Sequence, residues 1–432
     1  MNRSVRVAAL QLAAHDRAGF SGALDGIVDA VGRVAAQADL IVLPEGTLPA
    51  YVLGDAPVDS TAIEAGLARL QNIAAAERTA IVVGAVARDG ASLYNAAFVI
   101  DTDGSLAGRA DKLFLWHFDS LWFAPGERLA PVTTQLGALG VLVCADGRIP
   151  TIARELVDAG AVALIMPTAW VTTGRDPQAL ENVQADLLGR VRAYENDVPF
   201  VAANKCGAEL GMVAYCGKSQ IVERNGTVVA IAAQDRPDVL QATIDFGETH
   251  PKRAKLPALS PRPAPAGPPV RVAISFEALG ADIDRRLEVL GDAYALSPED
   301  GARLALLDAA IPTASLGDAL VADPGGVAAF RAAGYRLICW TTDLAAPWAE
   351  RLARARALEL RVYLVVFDRP QRRAYAVDPD GAVIAGTFDG YRLASFNFDP
   401  RKASATLVAP QTDVSEGLER VATLTSREKA TT

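Results

Sequence analysis

Apolar residues recur in two rhythms over the first 250 positions. Short continuous or alternating runs predict strands at Val5–Leu12, Leu40–Leu43, Ala80–Ala87, Ala96–Ile100, Leu106–Ala110, Leu139–Val143, Val162–Met166 and Phe200–Ala203. Helical spacing predicts helices at Ala23–Ala36, Ile63–Arg78 and Ile152–Ala159, and a long one from about Ala179 to Asn196. Asp103–Gly104 and Asn225–Gly226 predict hairpin turns, the second joining Gln220–Glu223 to Val228–Ala232. Strands alternating with helices, with some antiparallel pairs, place the chain in the α/β class.

The rhythm stops at a proline-rich stretch, residues 252–269, which holds little that could form a core and reads as a stiff linker. After it the first pattern returns. Val270-Arg-Val-Ala-Ile resembles Val5-Arg-Val-Ala-Ala, and Ala295-Leu-Ser-Pro-Glu299 resembles Ile41-Val-Leu-Pro-Glu45. Arg354–Val362 resembles Arg190–Val198 without a gap, and Asp380–Ala385 resembles Asn225–Ala230. Matches in a fixed order indicate a duplicated unit. The expected organisation is a domain over 1–251, the linker, a shortened second copy over 270–410, and a tail over 411–432. The counterpart of Cys144 in the second copy is read as Ala322, in Leu-Val-Ala-Asp.

Composition narrows the function. The 432 residues are 51% hydrophobic and 22% charged, as in a packed globular protein. The net charge of −9 gives no basic field for nucleic acid or an anionic membrane. No apolar run reaches the ~18 residues of a membrane span, and Val5–Ala14 is too interrupted for a signal peptide, so a cytoplasmic location is expected. His15, His117 and His250 are far apart, which argues against a histidine-rich metal site. Cys144, Cys206, Cys216 and Cys339 form no CxxC pair and are expected as free thiols. Gly217-Lys-Ser219 is not the end of a phosphate loop, because Met212 stands where that motif needs glycine.

Three polar residues sit where apolar runs end: Glu45 after Leu40–Leu43, Lys112 after Leu106–Ala110, and Cys144 after Leu139–Val143. In α/β folds reactive groups gather at the carboxyl ends of strands. A thiol between a strand and a helix start is exposed to backbone N–H dipoles. Together the three can run acyl transfer. Cys144 would attack, Glu45 would take its proton and later activate water, and Lys112 with the Ala145 N–H would hold the oxyanion. Taken singly each has an ordinary reading: a core cysteine, a solvated turn carboxylate, a surface ammonium.

Read together, Pro44-Glu45-Gly-Thr-Leu-Pro-Ala-Tyr51, Gly108-Arg-Ala-Asp-Lys112 and Gly140-Val-Leu-Val-Cys144-Ala-Asp-Gly-Arg148-Ile-Pro150 resemble the nitrilase, or carbon–nitrogen hydrolase, superfamily. Leu93-Tyr-Asn95, Phe123-Ala-Pro-Gly-Glu127, Met166-Pro-Thr-Ala-Trp170, Arg192-Ala-Tyr-Glu-Asn196 and Asn204 support the resemblance, which covers about residues 5–247. It implies an αββα sandwich, a Glu45–Lys112–Cys144 triad, and hydrolysis of a non-peptide C–N bond through a thioester without cofactor or metal. Many members carry a further glutamate past the lysine. Here Asp119 is the nearest match, and its shorter arm puts its reach in question. Tyr51, His117 and Trp170 are candidate substrate-binding residues, with Trp116 and Trp122 as a further aromatic wall or as core.

The expected reaction is cleavage of a small linear amide or N-carbamoyl compound, with ammonia or an amine released. A nitrile-hydrolysing enzyme and a non-catalytic binding pseudoenzyme are the alternatives. Without an SGG-type ATP-cleaving motif or membrane spans, the glutamine-dependent synthetase and lipoprotein acyltransferase branches are not favoured. Arg148, Arg175 and Lys205 are candidate partners for a substrate carboxylate, with surface charge as the ordinary reading of each. The second copy keeps Glu299 but lacks lysine and thiol, so it is expected to be inactive and to form an internal pseudo-dimer with the first, giving a chain that can work as a monomer.

Overall fold

The apolar runs form strands and the amphipathic runs form helices in the computed structural model, which describes residues 3–172, 178–280, 283–388 and 390–431. The chain divides into two units: Met1–Pro251 with Ala409–Thr432, and Lys252–Val408.

The first unit contains β1 (Ser4–Ala13), α1 (Phe20–Ala35), β2 (Leu40–Val42), α2 (Ser60–Glu77), β3 (Ala80–Asp89), β4 (Ser92–Ile100), β5 (Leu106–Asp111), β6 (Val132–Thr134) and β7 (Gly137–Val141). It continues with α3 (Pro150–Asp158), β8 (Ala163–Pro167), α4 (Gly189–Asn196), β9 (Phe200–Ala203), β10 (Lys205–Glu209), β11 (Val213–Cys216), β12 (Gln220–Val222), β13 (Val228–Ile231) and β14 (Asp238–Asp245). One sheet runs β11-β10-β1-β2-β3-β4-β5, with β14 also paired to β1; the other runs β13-β12-β9-β8-β7-β6. Leu24, Ile27 and Val31 of α1 and Ile63 and Leu70 of α2 share a core with Ile41, Ile81 and Val83 of the first sheet. Helices α3 and α4 cover the second sheet, and β2 and β3 meet β8 and β9 across the interior. The result is a mixed α/β unit with helices outside two facing sheets. Parallel pairing of β1, β2 and β3, and of β7, β8 and β9, brings their carboxyl ends, and hence Glu45 and Cys144, to one side.

Three expectations change. The long helix expected from Ala179 starts instead as a π-helical turn, Gln184–Leu188, that runs into α4. Asn182 sets this start, because its Oδ1 accepts the Gln184 N–H at 2.9 Å and its own N–H goes to Asp186 Oδ2 at 3.0 Å. Strands β6, β10, β11 and β14 were not expected, since their polar residues break the apolar pattern. Residues 409–432 are no separate tail: the helix Val414–Thr431 belongs to the first unit and packs on α3.

In the second unit the expected linker carries no helix or strand up to residue 269. There follow β15 (Val270–Ile274), α5 (Ile283–Leu290), β16 (Tyr294–Leu296), α6 (Gly301–Ala310), β17 (Thr313–Leu316), α7 (Asp318–Ala322), α8 (Pro324–Ala332), β18 (Leu337–Thr342), α9 (Trp348–Leu360), β19 (Tyr363–Asp368), β20 (Arg373–Val377), β21 (Val383–Gly386) and β22 (Ala394–Phe398). One sheet runs β16-β15-β22 and the other β17-β18-β19-β20-β21. Both contribute to one core, in which Val272 and Phe396 pack with Leu337, Val365 and Ala376.

Candidate active site

Glu45 lies two residues past Leu43, where β2 has ended. The chain can pass there because position 84 is glycine: a Cβ at Gly84 would stand 2.4 Å from both Glu45 Cα and Pro44 O. Glu45 is fully buried. Its Oε1 accepts from Asn95 Nδ2 and Lys112 Nζ, each at 2.7 Å, while Oε2 has no hydrogen-bond partner.

Lys112 follows β5, held by its own N–H to Asn95 O at 2.8 Å. Its Nζ lies between Glu45 Oε1 at 2.7 Å and Asp119 Oδ2 at 2.6 Å, and none of the three side chains is exposed. The short arm of Asp119 therefore does reach the lysine. It can because Asp119 sits in the tight turn His117–Leu121, where its Oδ2 also accepts the Trp116 N–H at 2.9 Å. Burial works against the Lys112 charge, but Asp119 and Glu45 outweigh it and hold the ammonium well above its usual pKa.

Cys144 opens the turn Cys144–Arg148 after β7, with φ +47°, a left-handed conformation that non-glycine residues rarely adopt. Asp146 fixes this turn. Its Oδ2 accepts the Val143 N–H at 3.0 Å, and its Oδ1 accepts the N–H groups of Leu113 and Phe114 at 3.0 and 2.8 Å. One carboxylate thus joins the cysteine turn to the residues just past Lys112. Burial pushes the Asp146 carboxyl up to about 7 against these donors. Cys144 is 6% exposed, and burial, then the Glu45 charge, push its thiol up to about 12, against the pull of Lys112, Thr168 and the Ala169 N–H. Ala145 is buried in the same turn.

Tyr51 and Trp170 are both buried near this centre. The Tyr51 ring lies 5.7 Å from Lys112 Nζ and packs on Phe118 at 5.4 Å and Tyr215 at 6.4 Å. Ala169, Val52, Val171 and Val213 complete this apolar patch. Trp170 is held by its N–H to Asn204 Oδ1 at 2.8 Å, and its Nε1 is buried without a hydrogen-bond partner. His117, at φ +52°, packs edge-on against Phe118, so Phe118 rather than His117 or Trp116 meets Tyr51. Trp122 also packs on Phe118, and Trp116 lies under the Arg148 guanidinium at 4.2 Å.

Two candidate cations change their reading. Lys205 is no surface charge: it is 1% exposed and paired with Glu209. Arg148 is half-buried, forms no ion pair with a described residue, and is lowered to about 10 by burial. Arg175 lies outside the described residues. Asn95, Asp146, Phe118 and Glu209 were not singled out from sequence. The last had a signal, since positions 205 and 209 share one face of a strand. Among the described residues no three His, Cys, Asp or Glu side chains gather where they could hold a metal ion, and no helix is long and apolar enough to cross a membrane.

The model of the family described as carbon-nitrogen hydrolase matches residues 6–254. A protein described as "Hydrolase in pqqF 5'region" from Pseudomonas protegens is 35% identical, over 50% of this chain and 74% of its own length. An (R)-stereoselective amidase from a Pseudomonas species is 29% identical, over 49% of this chain and 75% of its own. Among solved structures, a mutant amidase from Nesterenkonia sp. AN1 aligns with a TM-score of 0.51 and 27% identity, over 56% of this chain and 90% of that one. That structure shows the acetamide moiety of fluoroacetamide added covalently to its active-site cysteine.

Proposed function

Because this chain belongs to the carbon-nitrogen hydrolase family, we propose that it cleaves the C–N bond of a small linear amide or N-carbamoyl compound through a thioester on Cys144. The observation that carries this reading is the buried Glu45–Lys112–Asp119 bridge, with Glu45 Oε2 unpaired and the strained Cys144 turn within its electrostatic reach.

The Cys144 thiol gives its proton to Glu45 as Sγ bonds to the carbonyl carbon. Charge that gathers on the carbonyl oxygen is met by the Lys112 ammonium and the Ala145 N–H. Glu45 returns the proton to nitrogen, the C–N bond breaks, and ammonia or an amine departs from the thioester. Water, deprotonated by Glu45, then attacks the acyl carbon, the C–S bond breaks, and the thiol regains its proton. Asp119 keeps Lys112 charged throughout. Tyr51 and Trp170 border the substrate, with Phe118 rather than His117 beside Tyr51, and the unpartnered Trp170 Nε1 offers it a donor.

Arg148 refines the substrate. A half-buried guanidinium without an ion-pair partner, four residues past the nucleophile, favours an amide that bears a carboxylate at its far end. The test pairs amides of equal length with and without that carboxylate, measuring ammonia release and the mass of the Cys144 adduct. Turnover that favours the acid-bearing amide, with the preference lost in Arg148→Leu, supports the reading. An adduct that never forms on Cys144 from either amide would sink it, and turnover of matched nitriles alone would replace amide hydrolysis with nitrile hydrolysis.

Residues 270–408 are read as a reduced relative of the first unit without chemistry of its own. Three features support this. β15 pairs parallel with β16 and antiparallel with β22, the senses in which β1 pairs with β2 and β14. Bulges fall at Ile221/Val222 and Ala376/Val377, each just before its Asn-Gly or Asp-Gly turn. The buried pair Arg192–Glu195 has its like in Arg356–Glu359, with Nε donating to Gly147 O and Val321 O respectively. Matching these carbonyls, and Pro150 with Pro324, puts Asp318 rather than Ala322 at the position of Cys144. Glu299 is exposed, unlike Glu45. Turnover surviving Cys144→Ala in the full chain would overturn this assignment.

A further inference from the structure

Beside the Glu45–Lys112–Asp119 bridge lies a second buried Lys–Glu pair, Lys205 and Glu209 of β10. Strand geometry puts both side chains on one face, and Gly207 between them adds no bulk. The pair is aimed at the segment Gly46–Val52, which begins at the residue after Glu45. Lys205 Nζ donates to Gly46 O at 2.9 Å and to Glu209 Oε1. Glu209 Oε2 accepts the Val52 N–H at 2.8 Å, and Oε1 the Tyr51 N–H at 3.4 Å. The segment is closed on itself: Gly46 has φ +57°, and a Cβ there would stand 2.5 Å from Tyr51 Cα. One ion pair therefore staples both ends of the turn that joins the candidate base to the candidate pocket wall.

Stability alone explains such a pair poorly. A buried ion pair repays its desolvation only with excellent geometry, and apolar residues of similar volume often do as well. What apolar residues cannot do is bind three backbone groups of one turn. Resting on the reading of Glu45 as base, we propose that Lys205 and Glu209 are positioning residues, a clasp that sets Glu45 and Tyr51 in register with the Cys144 thiol. The titratable groups around the clasp are His15, whose Nε2 meets Pro49 O at 2.8 Å, and Tyr215, whose ring lies 5.6 Å from Lys205 Nζ. Neither bonds to Gly46 O or to the Tyr51 and Val52 N–H groups.

The experiment uses the full chain and Lys205→Met, Lys205→Arg and Glu209→Gln. The first readout is the rate of Cys144 alkylation by iodoacetamide across pH, with Cys144→Ala as the blank; the second is kcat and KM on an amide that is turned over. Misplacing a base by about 1 Å can cost up to ~100-fold. Lys205→Met is therefore expected to lower alkylation and kcat about 10-fold to 100-fold, with KM changing less, and to shift the acid limb of the alkylation profile. Lys205→Arg should restore most of the loss. A folded Lys205→Met chain with the wild-type rate and acid limb, whatever its melting temperature, overturns the clasp. If Lys205→Met does not fold, Glu209→Gln decides on the same two readouts. A wild-type chain that alkylates at Cys144 but turns over no amide fails the proposed reaction while the clasp stays measurable.

Discussion

Phe114 donates its N–H to Asp146 Oδ1 at 2.8 Å, and so a residue two past Lys112 is tied to a residue two past Cys144. The same carboxylate takes the Leu113 and Val143 N–H groups, all of them buried. Removing it leaves three donors without partners, at about 1–3 kcal/mol for each that water cannot reach. Asp146→Ala is expected to lower the melting temperature sharply and kcat about 100-fold, because the cysteine turn and the lysine segment lose their common anchor. Asp146→Asn, which keeps one acceptor oxygen, should fall between. Paired thermal melts and ammonia-release assays check this; equal activity in the alanine variant and wild type would refute the anchoring role.

Asp119 carries a second expectation. Lys112 is charged in a fully buried place because two carboxylates flank it, and Asp119 is the larger of the two influences. Asp119→Asn keeps the shape and removes that charge. It should lower kcat by about 10-fold to 1000-fold with a smaller change in KM, as for a group that supports oxyanion stabilisation. Asp119→Glu is not expected to improve on wild type. The added methylene has no room beside a lysine already at 2.6 Å, so overpacking should cost activity as well. A glutamate variant faster than wild type would contradict the fit described.

The centre was legible where chemistry and strand ends coincide. Glu45, Lys112 and Cys144 each close an apolar run; parallel pairing sends Glu45 and Cys144 to one side, and two antiparallel steps, β3 to β4 and β4 to β5, bring the end of β5 and Lys112 back to it. The reach of Asp119 was not legible, since it depends on a five-residue turn and on the Trp116 N–H that holds it. Lys205 reads as surface charge in a sequence because the carbonyl it binds is brought to it only by folding, across 159 positions. Phe118 was passed over for the larger Trp116, although packing chose the phenyl ring. The start of the helix ending at Asn196 failed because apolar spacing says nothing of the Asn182–Asp186 cap that resets it.

The thiols set an alkaline limit on stability. All four are free and buried. Burial pushes Cys144, Cys216 and Cys339 up to about 12 and Cys206 up to about 11. Unfolded thiols lose their protons near pH ~8.5. Above that the folded chain holds protons that the unfolded chain has released, so stability falls as pH rises toward about 12. Cys339 is the cleanest probe, since burial alone shifts it. Cys339→Ala opens a small cavity and should destabilise at pH 8, and that deficit should shrink at pH 10.5 as the wild-type thiol becomes a liability. A deficit that stays constant between the two melts would count against the shift.

The C-terminal segment should matter to catalysis although it holds none of the reacting groups. After residue 408 the chain returns to the first unit and meets the turn that carries Asp119. Thr412 Oγ1 accepts the His117 N–H at 2.7 Å, and Gln411 Oε1 accepts from the Ser120 hydroxyl at 2.8 Å. Two turns on, the helix Val414–Thr431 lies so close to the core that a Cβ on Gly417 would be 2.8 Å from both Phe114 and Ile149. These are the residue held by Asp146 and the residue that ends the cysteine turn. The segment thus braces both sides of the centre from behind. Ending the chain at Val408 should uncover Phe114 and Ile149, loosen the His117–Leu121 turn, and lower kcat at least about 10-fold even where the remaining chain folds. Gly417→Leu, which keeps the segment but forces it away, should reproduce part of the loss. Circular dichroism establishes folding and ammonia release measures the effect; a folded chain ending at Val408 with wild-type kcat would show that the brace does not reach the chemistry.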